Sequence, residues 1–342
     1  MRIWFNQTFS SIHSVLDSIR QEDTTHKITL LFSHINPHAL GRLFADEVFV
    51  EPVNLDDETY LEWALAFCQD NHVNWFWPGK AAVMIAKNRW RFSAVGTDLI
   101  TVAEPETLKL LNDKSAFYAA LTPEIAIAPD NMTVGTLAEF DRAYAVLRSK
   151  HSRLCVKPAV SIFGLGFRLI DEERGSITHL LGGVEYQIPL SELRLGMREM
   201  ARFESLLVME YLPGPEWSVD CVAKHGDLWF AVQRKKNQQA GYGQTIDNHP
   251  AVTEMVERLT ARFHLNGLFN IQFKQGPEGP RILEINARPS GGVGMACQSG
   301  INLAGMVIQT LSQSKPLPNN PERPVYGRLI AEINTPVTLS AA

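Results

Sequence analysis

Between Phe269 and Arg288 two runs of alternating residues flank a turn rich in glycine and proline. Phe269, Ile271 and Phe273 interleave with Asn270 and Gln272, and after Gln275-Gly276-Pro277-Glu278-Gly279-Pro280 come Leu283, Ile285 and Ala287 interleaved with Glu284, Asn286 and Arg288. A side-chain period of two belongs to a strand, so the segment predicts a hairpin with one apolar and one polar face. The apolar face demands a second layer to cover it. The polar face gathers the amide oxygens of Gln272 and Asn286, the carboxylate of Glu284 and the guanidinium of Arg288. Such oxygen donors suit a hard cation, yet one negative charge is too little for an all-protein magnesium cage, and the remaining charge must come from a ligand such as nucleotide phosphates. Arg288 offers a planar fork for a phosphoryl group. A solvated strand face would show the same alternation, so the hairpin alone leaves both readings open.

Upstream, the first hundred residues alternate short apolar strands with helical stretches, as expected of a small parallel sheet flanked by helices. Candidate strands are Ile3-Asn6, Ile28-Ser33, Val48-Val50, Trp75-Trp77 and Leu99-Val102. Tyr60, Leu61, Ala64, Leu65 and Cys68 fall on one helical face, as do Ile12, Val15, Leu16 and Ile19. The turn Asn6-Gln7-Thr8-Phe9-Ser10 lacks the glycines of a dinucleotide fingerprint. One helix is expected over Pro105 to Leu121. Beyond it the texture turns to antiparallel strands, giving an N-terminal lobe over 1-104 and a second domain over 105-342, with a lid over about 122-204. The fold class is therefore α/β with an α+β portion. The Pro-rich stretch Lys315 to Pro324 is expected to link into a last strand, Val325-Ile330.

Two further segments carry chemistry. The strand Leu154-Cys155-Val156 ends in Lys157, and Ser161-Ile162-Phe163-Gly164-Leu165-Gly166 follows; Gly164 and Gly166 allow backbone to approach anionic oxygens closely, although a plain hairpin turn has the same composition. The apolar strand Leu206 to Leu212 carries Glu210, and Pro213-Gly214-Pro215-Glu216 follows. Adenine could bond Glu210 and the backbone of Tyr211 and Leu212, and ribose could bond Glu216; two solvated glutamates are the plain alternative. Arg234 and Lys235 end a strand and are candidate phosphate or substrate contacts, or a solvated basic end.

In their order, these pieces resemble the ATP-grasp superfamily, closest to the carbamoyl phosphate synthetase and biotin carboxylase branch, as a single unit. The resemblance rests on Asn112-Asp113-Lys114, Lys157-Pro158 with its glycine loop, Met209-Glu210-Tyr211-Leu212, Glu216-Trp217-Ser218-Val219-Asp220, and the Asn-x-Gln and Glu-x-Asn-x-Arg pair of the hairpin. It implies an N-terminal parallel-sheet lobe followed by an ATP-grasp domain with a mobile lid. It also implies that Lys114 and Lys157 contact phosphates, Glu210 to Leu212 form an adenine hinge, Glu216 holds ribose, and Gln272, Glu284 and Asn286 hold Mg2+ or Mn2+. Arg288, with Lys157 and Arg234, would serve the phosphoryl group in transfer. Two departures stand out: the loop has fewer glycines than many relatives, and Gln272 replaces a carboxylate. The implied activity is an ADP-forming ligase that activates a small-molecule carboxylate as an acyl phosphate for an amine or similar nucleophile. A small-molecule kinase of the same fold and a nucleotide-sensing protein are the alternatives. Acceptor groups are expected from Asn6, Gln7, Pro78-Gly79-Lys80 and Pro289 to Gly294, because ligands gather at the carboxyl ends of parallel strands.

Composition narrows the partners. The 342 residues carry a net charge of -5 and no basic run, which argues against a nucleic-acid partner. No apolar run reaches membrane-spanning length, and the N-terminus turns polar too early for a signal peptide. Cys68, Cys155, Cys221 and Cys297 lie far apart, without metal or disulfide spacing, and read as buried thiols in a reducing, cytoplasmic setting. A homodimer is compatible with all of this.

Overall fold

The computed structural model describes residues 1–8, 11–160, 166–183, 186–237, 243–312, 323–333 and 336–338. Gly164 and the rest of Ser161 to Leu165 therefore lie outside the described residues, as do Phe9, Ser10 and most of the expected Pro-rich linker. The chain forms two compact units. The first comprises Met1–Lys109, Pro215–Phe273 and Ile285–Ala342, the second Leu110–Gly214 and Lys274–Glu284.

In the first unit, β1 (Arg2–Phe5), β2 (Thr29–His34), β3 (Glu47–Val50), β4 (Trp75–Trp77) and β5 (Asp98–Leu99) form a sheet of order β3-β2-β1-β4-β5. Every pair in it is parallel. The helix Ile12–Glu22 covers one face and Asp57–Asp70 the other, each through the apolar positions its period predicts. Asp56 caps the latter helix by accepting from the Thr59 N–H. The expected strand at Leu99-Val102 is shorter, although Ile100 N–H still donates to the Phe76 carbonyl.

The second unit holds β6 (Asn131–Val134), β7 (Leu154–Pro158), β8 (Arg168–Asp171), β9 (Gln187–Pro189) and β10 (Leu206–Glu210), in the order β6-β10-β7-β8-β9. Its core joins Val134, Val156 and Val208 of the sheet to Phe140, Ala143 and Leu147 of the helix Leu137–Arg148. The single helix expected over Pro105 to Leu121 is two helices, Pro105–Asn112 and Lys114–Ala119. Asp113 makes the break: in extended backbone, its carboxylate accepts from the N–H groups of Ser115 and Ala116 and caps the second helix.

A third, six-stranded sheet completes the chain: β11 (Glu216–Lys224), β12 (Asp227–Lys236), β13 (Gln244–Asp247), β14 (Gly267–Gly276), β15 (Gly279–Asn286) and β16 (Leu329–Ile330), ordered β15-β14-β11-β12-β13-β16. The hairpin read from the alternation is thus β14 and β15, whose far ends pass into the second unit at Lys274 and Glu284. In the first unit this sheet and the parallel one share a core: Ile3, Phe5 and Leu16 belong to the same cluster as Val222, Leu268 and Val307. Burying each such side chain contributes about 1.5–3 kcal/mol. Among the described residues, no helix is long and apolar enough to cross a membrane.

Candidate functional site

In the second unit, the N-cap that breaks the helix at Asp113 starts a new helix at Lys114, and the Lys114 N–H donates to the Ala159 carbonyl just past β7. Lys114 is thereby set beside the end of the strand that carries Lys157. Its Nζ lies 3.4 Å from Glu284 Oε2, with only 7% of the lysine side chain and 19% of the glutamate side chain exposed. Lys157 Nζ donates to Tyr118 Oη at 3.0 Å, and that hydroxyl donates to the Leu283 carbonyl at 2.7 Å. Two lysines, a tyrosine and the carboxylate of β15 thus form one cluster. Burial lowers both ammonium groups from the ordinary lysine range, while Glu284 pulls each back up; the proximity of Lys157 lowers Lys114 further. Burial, then the charge of Glu284, holds the Tyr118 hydroxyl far above its usual range, so it remains a donor. The cluster is a concentrated positive site whose charge is costly until an anion arrives.

Gly166 earns its place at the end of the same loop: its φ of +82° is a left-handed conformation, and a Cβ there would lie 2.7 Å from the Pro158 ring. Glu210 is 6% exposed, and its carboxylate already has partners. Oε1 accepts from the Asp130 N–H at 3.0 Å and Oε2 lies 3.6 Å from His151 Nδ1, whose other ring nitrogen is 2.8 Å from Asp130. Tyr211 and Leu212 follow the end of β10; the Tyr211 N–H donates to the Arg153 carbonyl, and the Arg153 guanidinium lies 5.0 Å from the tyrosine ring centre. The Asp130–His151 pair had no signal in sequence, since its members are single polar residues outside any periodic run.

In the first unit, strand register sets Glu216 opposite Lys236 and Ser218 opposite Arg234. Glu216 forms an ion pair with Lys236. Arg234, expected as a strand-end contact, is instead 2% exposed. Its guanidinium donates to Asp220 Oδ2 at 3.0 and 2.9 Å, to Ser218 and Ser290 hydroxyls at 3.1 and 2.9 Å, and to Gln244. Asn270, grouped by alternation with the polar face, is fully buried here too, its Nδ2 donating to Ser218 Oγ, the Val219 carbonyl and Asp220 Oδ1. Gly292 leaves room for this guanidinium, because a Cβ would lie 2.4 Å from Arg234 Nη1. Arg234 therefore acts on the loop after Arg288, which it pins through Ser290. Arg288 itself lies past the end of β15, in a tight turn closed by its N–H to the Asn286 carbonyl at 2.7 Å, with Nη1 donating to the Pro289 carbonyl. It is thus not held by the strand alternation that suggested it.

Gln272 in β14 and Glu284 and Asn286, two residues apart in β15, are all partly exposed oxygen donors. Of these residues only Glu284 is a carboxylate, and it is already ion-paired with Lys114, so these residue types suit a cation that arrives with phosphates and not one bound by protein charge alone. Among the described residues no group of three or more His, Cys, Asp or Glu could hold a metal.

A buried carboxylate in the first unit had escaped the sequence. Glu51, 2% exposed, accepts from the Gln7 N–H at 2.6 Å, the Ser33 hydroxyl at 2.8 Å and the Tyr60 hydroxyl at 3.1 Å. Asn6 extends the network, its Oδ1 accepting from the N–H groups of Gly79 and Lys80 and its Nδ2 donating to Tyr60 Oη. The loops at the carboxyl ends of β1 and β4 are thus tied together.

This architecture is the ATP-grasp fold, present as a single unit. Residues 202–335 match a family model described as "ATP-grasp in the biosynthetic pathway with Ter operon". The N5-carboxyaminoimidazole synthetase of Staphylococcus aureus complexed with ADP superposes with a TM-score of 0.65 at 14% identity, covering 93% of this chain and 78% of that one. The L-amino acid ligase of Bacillus licheniformis does so with a TM-score of 0.61 at 13% identity, over 90% and 73%. The biotin carboxylase domain of Hydrogenobacter thermophilus 2-oxoglutarate carboxylase, in complex with MgADP, ADP and bicarbonate, gives 0.62 at 13%, over 93% and 70%. No curated protein sequence matches this chain. With 416 solved chains matching, the likeness defines a fold and leaves the substrate open.

Proposed function

We propose that this protein is an ATP-dependent ligase that phosphorylates a small-molecule carboxylate and couples it to an amine or similar nucleophile, releasing ADP. The observation that carries the reading is the cluster of Lys114, Lys157, Tyr118 and Glu284. Two charge-suppressed lysines on one carboxylate suit phosphate oxygens, which restore both positive charges. Glu210 to Leu212 and Glu216 are the proposed adenine and ribose contacts, and Gln272, Glu284 and Asn286 the proposed holders of Mg2+, with Mn2+ suited to the same oxygen donors. When bound, the cation neutralises charge on the phosphate oxygens. In the proposed reaction a carboxylate oxygen attacks the terminal phosphorus and the bond to ADP breaks. The nucleophile then attacks the carbonyl carbon, and phosphate leaves carrying the former carboxylate oxygen. Lys157, steadied by Tyr118, supplies a positive charge to the transferred oxygens, and Arg288 a planar fork. The segment over about 122-204 is the proposed lid. A cytoplasmic location is part of the reading.

Heavy-oxygen labelling of the acceptor carboxylate tests the chemistry: one labelled oxygen per turnover is expected in inorganic phosphate, with ADP as coproduct. Label in AMP, with pyrophosphate released, would refute it. The lysines add a pH dependence. Their folded-state pKa values are lowered, so phosphate binding should be strong while both are protonated and weaken as pH rises through a range below about 10.4, the ordinary lysine value. Calorimetric titration of Mg-ATP between pH 7 and pH 10 reads this, and Lys157→Met should remove one of the two steps. Affinity independent of pH would count against both contacts.

A further inference from the structure

A narrow pocket of about 30 Å³ opens in the first unit where the carboxyl ends of β1 and β4 meet the segment Ala287 to Pro289. Phe5, Ile12, Trp77, Val102 and Leu108 wall it, each less than 8% exposed, and Arg288 lines it too. Of its polar neighbours, Thr101 accepts a hydrogen bond from Arg89 and Thr8 lies beside Gly79. The wall is held by the network already described: Asn6 Oδ1 fixes the Gly79 and Lys80 N–H groups, and Glu51 fixes the Gln7 N–H. At Gly79 a Cβ would lie 2.5 Å from the Thr8 Cβ, so the loops approach as closely as backbone allows. The free space is small and admits only a few small groups. Its apolar walls make a hydroxyl or charge there costly.

We infer that this pocket receives a short aliphatic chain of the acceptor acid, whose carboxylate lies at the Arg288 end, so that the substrate class is a compact apolar carboxylic acid of about four or five carbons. The inference rests on the proposed ligase reading and deepens it.

Binding is to be measured by calorimetry with magnesium and a non-hydrolysable ATP analogue, so that turnover plays no part. The probes are butyrate, valerate, 3-hydroxybutyrate and heptanoate. Butyrate and valerate should bind at least about tenfold tighter than the hydroxylated or the longer acid. Val102→Ala should enlarge the pocket and improve heptanoate about fivefold, whereas Ala82→Leu, at another lining residue, should weaken valerate by a similar factor. Equal binding across the series, no binding by any acid, or indifference to both variants would overturn the inference. Should the binding order hold while the wild type releases no ADP with these acids and any amine, the inference stands and the ligase reading fails. ADP release with a large polar acceptor, insensitive to both variants, would do the reverse.

Discussion

Replacing Arg234 with methionine is expected to destabilise the protein by about 3–5 kcal/mol, the largest stability effect of any single change at the candidate site. The cost lies less in the lost contacts than in what they leave behind. Asp220 is fully buried, and its Oδ2 takes two bonds from Arg234, so removing the guanidinium strands a carboxylate whose Oδ1 still accepts from Asn270. Urea denaturation reads the loss. Pairing the change with Asp220→Asn should recover part of it, because the uncompensated charge is gone. If the single variant were as stable as the wild type, the network would not be holding Ser290 and the loop after Arg288. A fall in turnover out of proportion to stability in the less severe Arg234→Lys would instead point to direct contact with substrate.

Glu284→Gln is expected to reduce ATP turnover by about 10²–10³-fold with little change in melting temperature. The carboxylate is the sole negative charge among the proposed metal donors and the ion-pair partner of Lys114, yet it is partly exposed, so an isosteric amide should be tolerated by the fold. Lys114, already lowered by burial, can shed its proton more readily without Glu284. Steady-state ADP release alongside a thermal melt separates the two effects. Wild-type turnover in the variant would remove Glu284 from the metal and phosphate site.

The hairpin was legible because its alternation is long and its turn unmistakable, and β14 and β15 follow it closely. The parallel sheet was equally clear, since β-branched and aromatic runs alternate with helical faces from Ile3 to Trp77. Short polar strands escaped: Asn131–Val134 and Gln244–Asp247 are strands because neighbours pair with them, a tertiary effect that no local pattern carries. The break at Asp113 could have been found, an Asp inside an apolar-periodic run being a cap signal. Depth was the main loss. Alternation assigns Asn270 and Gln272 to one face but cannot tell that Asn270 is sealed under Ser218 and Asp220 while Gln272 is not. Glu51 was invisible for a related reason: its partners Gln7 and Ser33 lie 44 and 18 residues away.

The two-residue spacing of Glu284 and Asn286 also bears on how such a chain can change over generations. Because successive strand residues point to opposite faces, gaining or losing one residue within β15 would turn both donors into the apolar layer and bring Ile285 out, whereas a two-residue change preserves their facing. The turn at Pro277 and Glu278 carries no such parity. Length variation among descendants of this sequence should therefore collect at that turn and come only in pairs, if at all, along the strand that follows it.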